Sequence, residues 1–209
     1  MRRLGRHPER GRSDRALLDD LLRVVPTGVL SSVTHDGLPW AVPILHALDG
    51  DRLLFHGSTG AGLLRHLAAG APVVYTVFVQ DSWVLGPSTF SSSADYRSAT
   101  ISGTVDQLTG PDKEAALAAF AEVVFPGRAA EVRPSTAKEL AATGICALPI
   151  RDGEWLYKTR SHGAAEPEEP TEAWCGTVPV TRTLGTPQRA TWCSADQPPS
   201  VSALVARGV

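Results

Sequence analysis

Three Asp-Gly pairs constrain this chain more than any other feature. Asp36-Gly37, Asp49-Gly50 and Asp152-Gly153 each separate two runs rich in apolar and β-branched residues. An Asp-Gly pair supplies the left-handed backbone that a tight hairpin turn requires, so strands joined this way run antiparallel. The first two turns link strands expected over residues 27–34, 39–48 and 52–56. Pro43 inside the second strand points to a sheet edge or a bulge, because proline donates nothing to a ladder. Further strands are expected over residues 73–79, 83–90 and 96–108, and then over 145–150 and 154–159 across the third turn.

Helical texture appears in short pieces. Leu17, Leu18, Leu21, Leu22 and Val25 fall on one face of a helix that Ser13 or Asp14 caps and Pro26 stops. A short helix over 63–69 ends at Gly70 with Pro72 beyond it, and Pro111 occupies the first turn of another that runs to 124. Ser135 opens a last helix to 142, with Glu139 close to a capping-box position. The sum is a mainly β fold with flanking helices. About six to eight antiparallel strands close, or partly close, into a small barrel, which removes exposed edges.

The chain has 209 residues, of which 43% are hydrophobic and 20% charged, with a net charge of −2. That suits one domain with a real core and excludes a general nucleic-acid or acidic-lipid binder. No apolar run approaches the roughly 20 residues of a membrane span. Cys146, Cys175 and Cys193 form no CxxC pair, so neither a disulfide framework nor a metal site follows, and a reducing cytoplasm is the expected setting. The expected divisions are a solvated basic leader over 1–12, one folded domain over 13–182, and a flexible tail over 183–209 rich in Pro, Ser and Ala.

Three stretches can carry chemistry. Residues 53–65 read as a strand, a small-residue turn and a helix start, a geometry that aims backbone N–H groups at an anion. His56 at the strand end is either a hydrogen-bond donor and acid–base group or a structural histidine already satisfied. Residues 91–98 offer serine hydroxyls followed by Tyr96, Arg97 and Ser98; Arg97 either binds phosphate or is solvated or paired with Asp95. Residues 39–45 form a strand whose edge can orient a flat heteroaromatic ring, or simply pack the core. A GxSxG elbow, a complete Walker A loop and an HExxH helix are all missing.

Taken in order, the Asp-Gly turn, the Pro39-to-Pro43 strand, the Asp49-Gly50-Asp51 turn, Phe55-His56-Gly57-Ser58, Tyr96-Arg97-Ser98, residues 138–141 and the strand from Trp155 to Lys158 resemble one family. It is the pyridoxamine 5′-phosphate oxidase-like FMN-binding split barrels, in the branch with the nitroimidazole-resistance proteins. The resemblance implies a homodimer with two FMN sites at the subunit interface. It places Pro43, Ile44 and Leu45 against the flavin ring, His56, Gly57 and Ser58 at the ring edge or ribityl chain, and Leu64 and Arg65 near the phosphate. Ser93, Tyr96, Arg97 and Ser98 complete the cofactor-binding set, and His56 is the catalytic candidate. Members commonly carry a cation in the first turn of the helix, where this chain has Gly60-Ala61-Gly62-Leu63; Arg65, with Arg97, is left to take the phosphate. The implied activity is flavin-dependent oxidoreduction of a small planar or nitro-type substrate. The alternatives are a non-catalytic binder of flavin, haem or another heteroaromatic ligand, a ligand-free dimeric scaffold, and deazaflavin in place of FMN.

Overall fold

The computed structural model describes residues 5–207. Its core is two antiparallel sheets. The larger uses β1 (Gly11–Arg12), β2 (Thr27–Val33), β3 (Pro39–Leu45), β6 (Val73–Leu85), β7 (Ser93–Gly103), β10 (Trp155–Arg160) and β11 (Gly176–Pro179). Its order is β1-β10-β7-β6-β2-β3, with β11 added to β6. The smaller sheet has β4 (Ala47–Asp49), β5 (Arg52–Ser58), β8 (Asp106–Gln107) and β9 (Thr143–Pro149), in the order β4-β5-β9-β8. Pro43 lies in β3, at the edge of the larger sheet, where its missing N–H costs no ladder bond.

The strand read as one run over 39–48 is two strands in different sheets. The chain turns at His46, whose N–H donates to the Pro26 carbonyl (2.9 Å) and whose ring is buried. The run at 73–79 and the start of the one at 83–90 are instead one long strand, β6, with a register shift between Gln80 and Ser82; it ends at Leu85, and residues 86–90 are not strand. A bulge of this kind bends and twists a strand without ending it. The Asp152-Gly153 turn joins β9 to β10, but these lie in different sheets, so it is a connection between layers and not a hairpin.

Helix α1 (Arg15–Val24) buries Leu18, Leu21 and Leu22, and its cap Asp14 accepts from the Ala16 N–H at 2.9 Å. With Phe55, Tyr75 and Ile101, these leucines belong to the main core between the sheets. Helix α2 (Gly62–Ala68) adds Leu63 and Leu67 to that core. Helix α3 (Gly110–Val124) covers the opposite face of the smaller sheet. There Ala116, Phe120 and Val124 pack on Leu54, Ile145 and Ala147 in a second core. Helix α4 (Ala137–Ala142) leads into β9; its cap is Thr136 rather than Ser135, in a reciprocal capping box with Glu139.

Both chain ends are more engaged than the expected leader and tail. Gly11 and Arg12 pair with Lys158 and Tyr157 of β10; residues 1–4 of the leader lie outside the described residues. Helix α5 (Pro199–Ala206) docks through Ser200, whose N–H and hydroxyl both donate to Glu131. Arg207 donates to the carbonyls of Val123 (2.8 Å) and Arg23 (3.0 Å), the last residues but one of α3 and α1. Those carbonyls lack helical partners of their own, and a guanidinium suits helix ends where the dipole is negative. Residues 208–209 lie outside the described residues.

Candidate functional site

β5 has core on both faces, which decides where its last residues point. Leu53 and Phe55 face the main core and Leu54 faces α3. Alternation then sends His56 to the α3 side. Its ring sits 4.4 Å from that of Phe120, edge-on at 73°. Desolvation at this contact lowers the His56 pKa below the ordinary histidine value, favouring the neutral imidazole. Neither ring nitrogen has a hydrogen-bond partner among the described residues.

Gly57 faces the other way, toward α2. A Cβ on Gly57 would lie 3.5 Å from Leu64 Cδ1, and one on Gly144, its partner across the ladder, 2.8 Å from the same atom. The two glycines therefore let Leu64 lie down on the sheet. The turn that follows is less open to an anion than its sequence suggests. Three of its N–H groups are already satisfied: Thr59 donates to the Ala142 carbonyl, Gly60 to Ser58 Oγ and Ala61 to the Ser58 carbonyl. Arg65 is exposed, with no carboxylate in ion-pair range among the described residues. It borders a small cleft of about 210 Å³ with Thr59, Leu64 and Gln107.

The remaining expected residues fall in two groups. Pro43 pairs with Val29, Val29 with Thr76, Leu45 with Thr27, and Phe78 with Ser98, so Pro43, Leu45, Ser98 and by alternation Tyr96 share the outward face of the larger sheet. That face is apolar and open: Val29 is 37% exposed, Leu45 37% and Phe78 52%. Phe78 and Tyr96 rings lie 5.9 Å apart, and Lys158 Nζ stands 5.6 Å from the Tyr96 ring. Ile44 points inward against the core, and Ser93 lies beyond the bulge, opposite Val84.

Arg97 faces away from Tyr96 and grips both carboxylate oxygens of Asp81 through Nε and Nη2, at 2.7, 3.1 and 3.2 Å. The hydrogen bonds to Asp81 raise its pKa further. The carboxylate expected beside it, Asp95, belongs to Arg160 at 2.6 Å. Arg97 is thus occupied by a partner that no local spacing indicates, because the bulge is what brings Asp81 into place.

A further concavity among the described residues was not anticipated. A cleft of about 660 Å³ opens between β5, α3 and α4, with His56 in its wall beside Leu117, Phe120 and Leu140. Arg128 and Arg133 also line it, each held by an acid: Arg128 by Glu131 at 3.2 Å and Arg133 by Glu139 at 2.7 Å. Helix α3 reads in sequence as an ordinary core element with a charged outer face. The signal in hindsight is its excess of apolar residues, since Leu117, Ala118 and Ala121 continue past the stripe that the core needs. Among the described residues, no group of three or more His, Cys, Asp or Glu side chains is placed to hold a metal ion. The three cysteines are unpaired, and burial pushes the Cys146 thiol up to about 12. No helix among the described residues is long and apolar enough to cross a membrane.

Two packed antiparallel sheets, with an apolar outer face on the larger and a helix covering the far face of the smaller, define a split barrel of the flavin-binding type. The chain belongs to the pyridoxamine 5′-phosphate oxidase family, whose pattern it matches over residues 14–154. Among solved structures it is similar to the FAD and haem binding protein from Mycobacterium smegmatis. The two share 40% identity, the match covers 94% of this chain and 97% of that one, and the TM-score is 0.90. The flavocytochrome Anf3 from Azotobacter vinelandii shares the fold, with 23% identity, coverage of 96% and 94%, and a TM-score of 0.88. So does a protein assigned to 5-nitroimidazole antibiotic resistance from Bacteroides thetaiotaomicron, with 16% identity, coverage of 71% and 86%, and a TM-score of 0.58. No curated protein matches the chain.

Proposed function

We propose that this protein is a dimeric flavin- and haem-binding oxidoreductase of the cytoplasm. The observation that carries the reading is the 40% identity, over nearly the whole of both chains, with the FAD and haem binding protein. The flavin proposed is FAD rather than the FMN expected from the sequence. A terminal phosphate monoester carries about 1.5–2 negative charges at neutral pH and calls for dedicated cations and N–H donors. Here three of the turn's N–H groups are spent within the chain, and Arg65 stands close by with no carboxylate in ion-pair range among the described residues. A dinucleotide carries its two charges spread over a pyrophosphate, one on each phosphate, so no single point calls for so concentrated a set of donors.

The residues present fit a planar, amphipathic cofactor. The outward sheet face supplies apolar contact through Pro43, Leu45 and Phe78, with the Tyr96 and Ser98 hydroxyls beside them. Covering this face with a second subunit would bury the exposed apolar side chains and exclude water from the ring. When bound, the flavin supplies hydride and one-electron chemistry, which the protein orients and shields. Reduction of a small planar or nitro-type acceptor is the activity to assay.

The test is the purified protein's visible spectrum, with the released flavin identified by chromatography and the mass measured by sedimentation. Stoichiometric FAD with a haem Soret band on a dimer is the expected result. A colourless protein that takes up neither FAD nor FMN on titration would overturn the reading.

A further inference from the structure

We propose that the cleft between β5, α3 and α4 is the haem site, with the His56 imidazole as an iron ligand and Arg128 and Arg133 at the propionate rim. The proposal rests on the haem content inferred above and assigns it a place and a ligand.

Three observations converge on this cleft. First, its volume of about 660 Å³ and its apolar wall of Leu117, Phe120 and Leu140 suit a large flat hydrophobic ligand. Second, the imidazole is available. Both His46 nitrogens are engaged, by Tyr75 and by the Leu22 carbonyl, and His66 Nε2 sits 3.0 Å from Ser32 Oγ. His56 alone joins an apolar cleft to a ring without a protein hydrogen-bond partner among the described residues. The edge-on Phe120 contact restricts the rotation of this otherwise exposed ring. Third, the two guanidinium groups supply the bidentate donors that carboxylates prefer.

Those arginines are not free of competition. Glu131 and Glu139 hold them, and Glu114 also lines the cleft. A propionate must share or displace these carboxylates, so the arginines set the orientation of the ligand more than its affinity. Ligation by neutral imidazole is the usual attachment of haem iron, and a nearby apolar wall tunes it by excluding water.

The experiment is reconstitution of apoprotein with ferric protoporphyrin IX, followed by absorption spectroscopy. Wild type is expected to give a sharp histidine-type Soret band at one haem per subunit. His56→Gly should lose that band and at least tenfold in haemin affinity, and added imidazole should restore the band. His56→Cys should move the spectrum to the thiolate type, while the exposed turn variant His35→Ala should match wild type. FAD titration of each variant reports whether the fold survives. If His56→Gly binds haemin with the wild-type spectrum, the cleft assignment is wrong while the haem reading stands. If wild type takes up no haemin, the haem reading fails and the assignment falls with it.

Discussion

His46 Nδ1 lies 2.7 Å from the Tyr75 hydroxyl, while His46 Nε2 lies 2.9 Å from the Leu22 carbonyl. A carbonyl only accepts, so Nε2 carries the proton and Nδ1 accepts from the tyrosine. The pair joins β6 to the end of α1 where the chain crosses from one sheet to the other. It also requires the ring to be neutral, and burial holds the His46 pKa at about 4, below the ordinary 6.5.

That shift makes stability depend on pH. Between about 6.5 and about 4, falling pH protonates His46 in the unfolded chain but not in the folded one. Stability is therefore complete above that window and declines through it, by an amount of the order of 3 kcal/mol. Urea midpoints measured across the window should fall in wild type. His46→Gln should flatten the slope, and an equal slope in both proteins would refute the assignment.

Gly28 packs where a side chain has no room. A Cβ there would sit 2.5 Å from the Thr76 carbonyl oxygen and 2.5 Å from the Tyr75 hydroxyl, one backbone and the other held by His46. Gly28→Ala is expected to cost about 1–3 kcal/mol by overpacking. An unchanged thermal midpoint would show that β2 can move aside freely.

The two arginines near the expected phosphate should part company. Arg97 and Asp81 are each about a third exposed (35% and 35%), so Arg97→Ala should cost no more than about 1 kcal/mol of stability. FAD affinity should stay within about twofold. Arg65→Ala should weaken FAD by roughly tenfold or more, the effect of losing a charge-assisted contact. Flavin fluorescence titrations of both variants decide between them, and the reverse order would return Arg97 to the site.

Asp95 is the acceptor of a buried network. It takes Arg160 at 2.6 Å, the Gly163 N–H at 3.2 Å and the Ser82 hydroxyl at 3.3 Å, with 7% and 10% of the arginine and aspartate side chains exposed. Asp95→Ala strands the guanidinium away from water and should cost about 3–5 kcal/mol. Chemical denaturation measures it; a loss under 1 kcal/mol would mean that Arg160 finds water readily.

Acid should release α4 late. Arg133, followed by the Thr136 N–H, holds the Glu139 carboxyl down at about 2, from an ordinary 4.5. The cap's contribution is present above the ordinary value and lost as the pH falls through about 2. Hydrogen-exchange protection of the Thr136 amide should persist at pH 3; loss by pH 4 would contradict the capping geometry.

Much of the barrel was legible because turn chemistry is local. Asp36-Gly37 and Asp49-Gly50 specified the β2–β3 and β4–β5 pairs, and Pro43 specified an edge. The third Asp-Gly turn misled, since a turn fixes a reversal of direction but not whether the two strands stay in one sheet. The site was less legible for a related reason. Which side of β5 receives His56 depends on α3, more than fifty residues downstream, and no spacing within β5 encodes that. The Arg97–Asp81 pair likewise depends on a bulge that two β-branched runs do not announce.

The opposite bearings of His56 and Gly57 make β5 a partition one residue thick. Its register against β9 decides what lines each room: a slip of a single position would put the imidazole against Leu64 and leave the α3 cleft walled by a glycine. The chemistry proposed for the cleft and the packing of α2 are thus inherited together from one ladder. Neither can be redesigned without resetting the other.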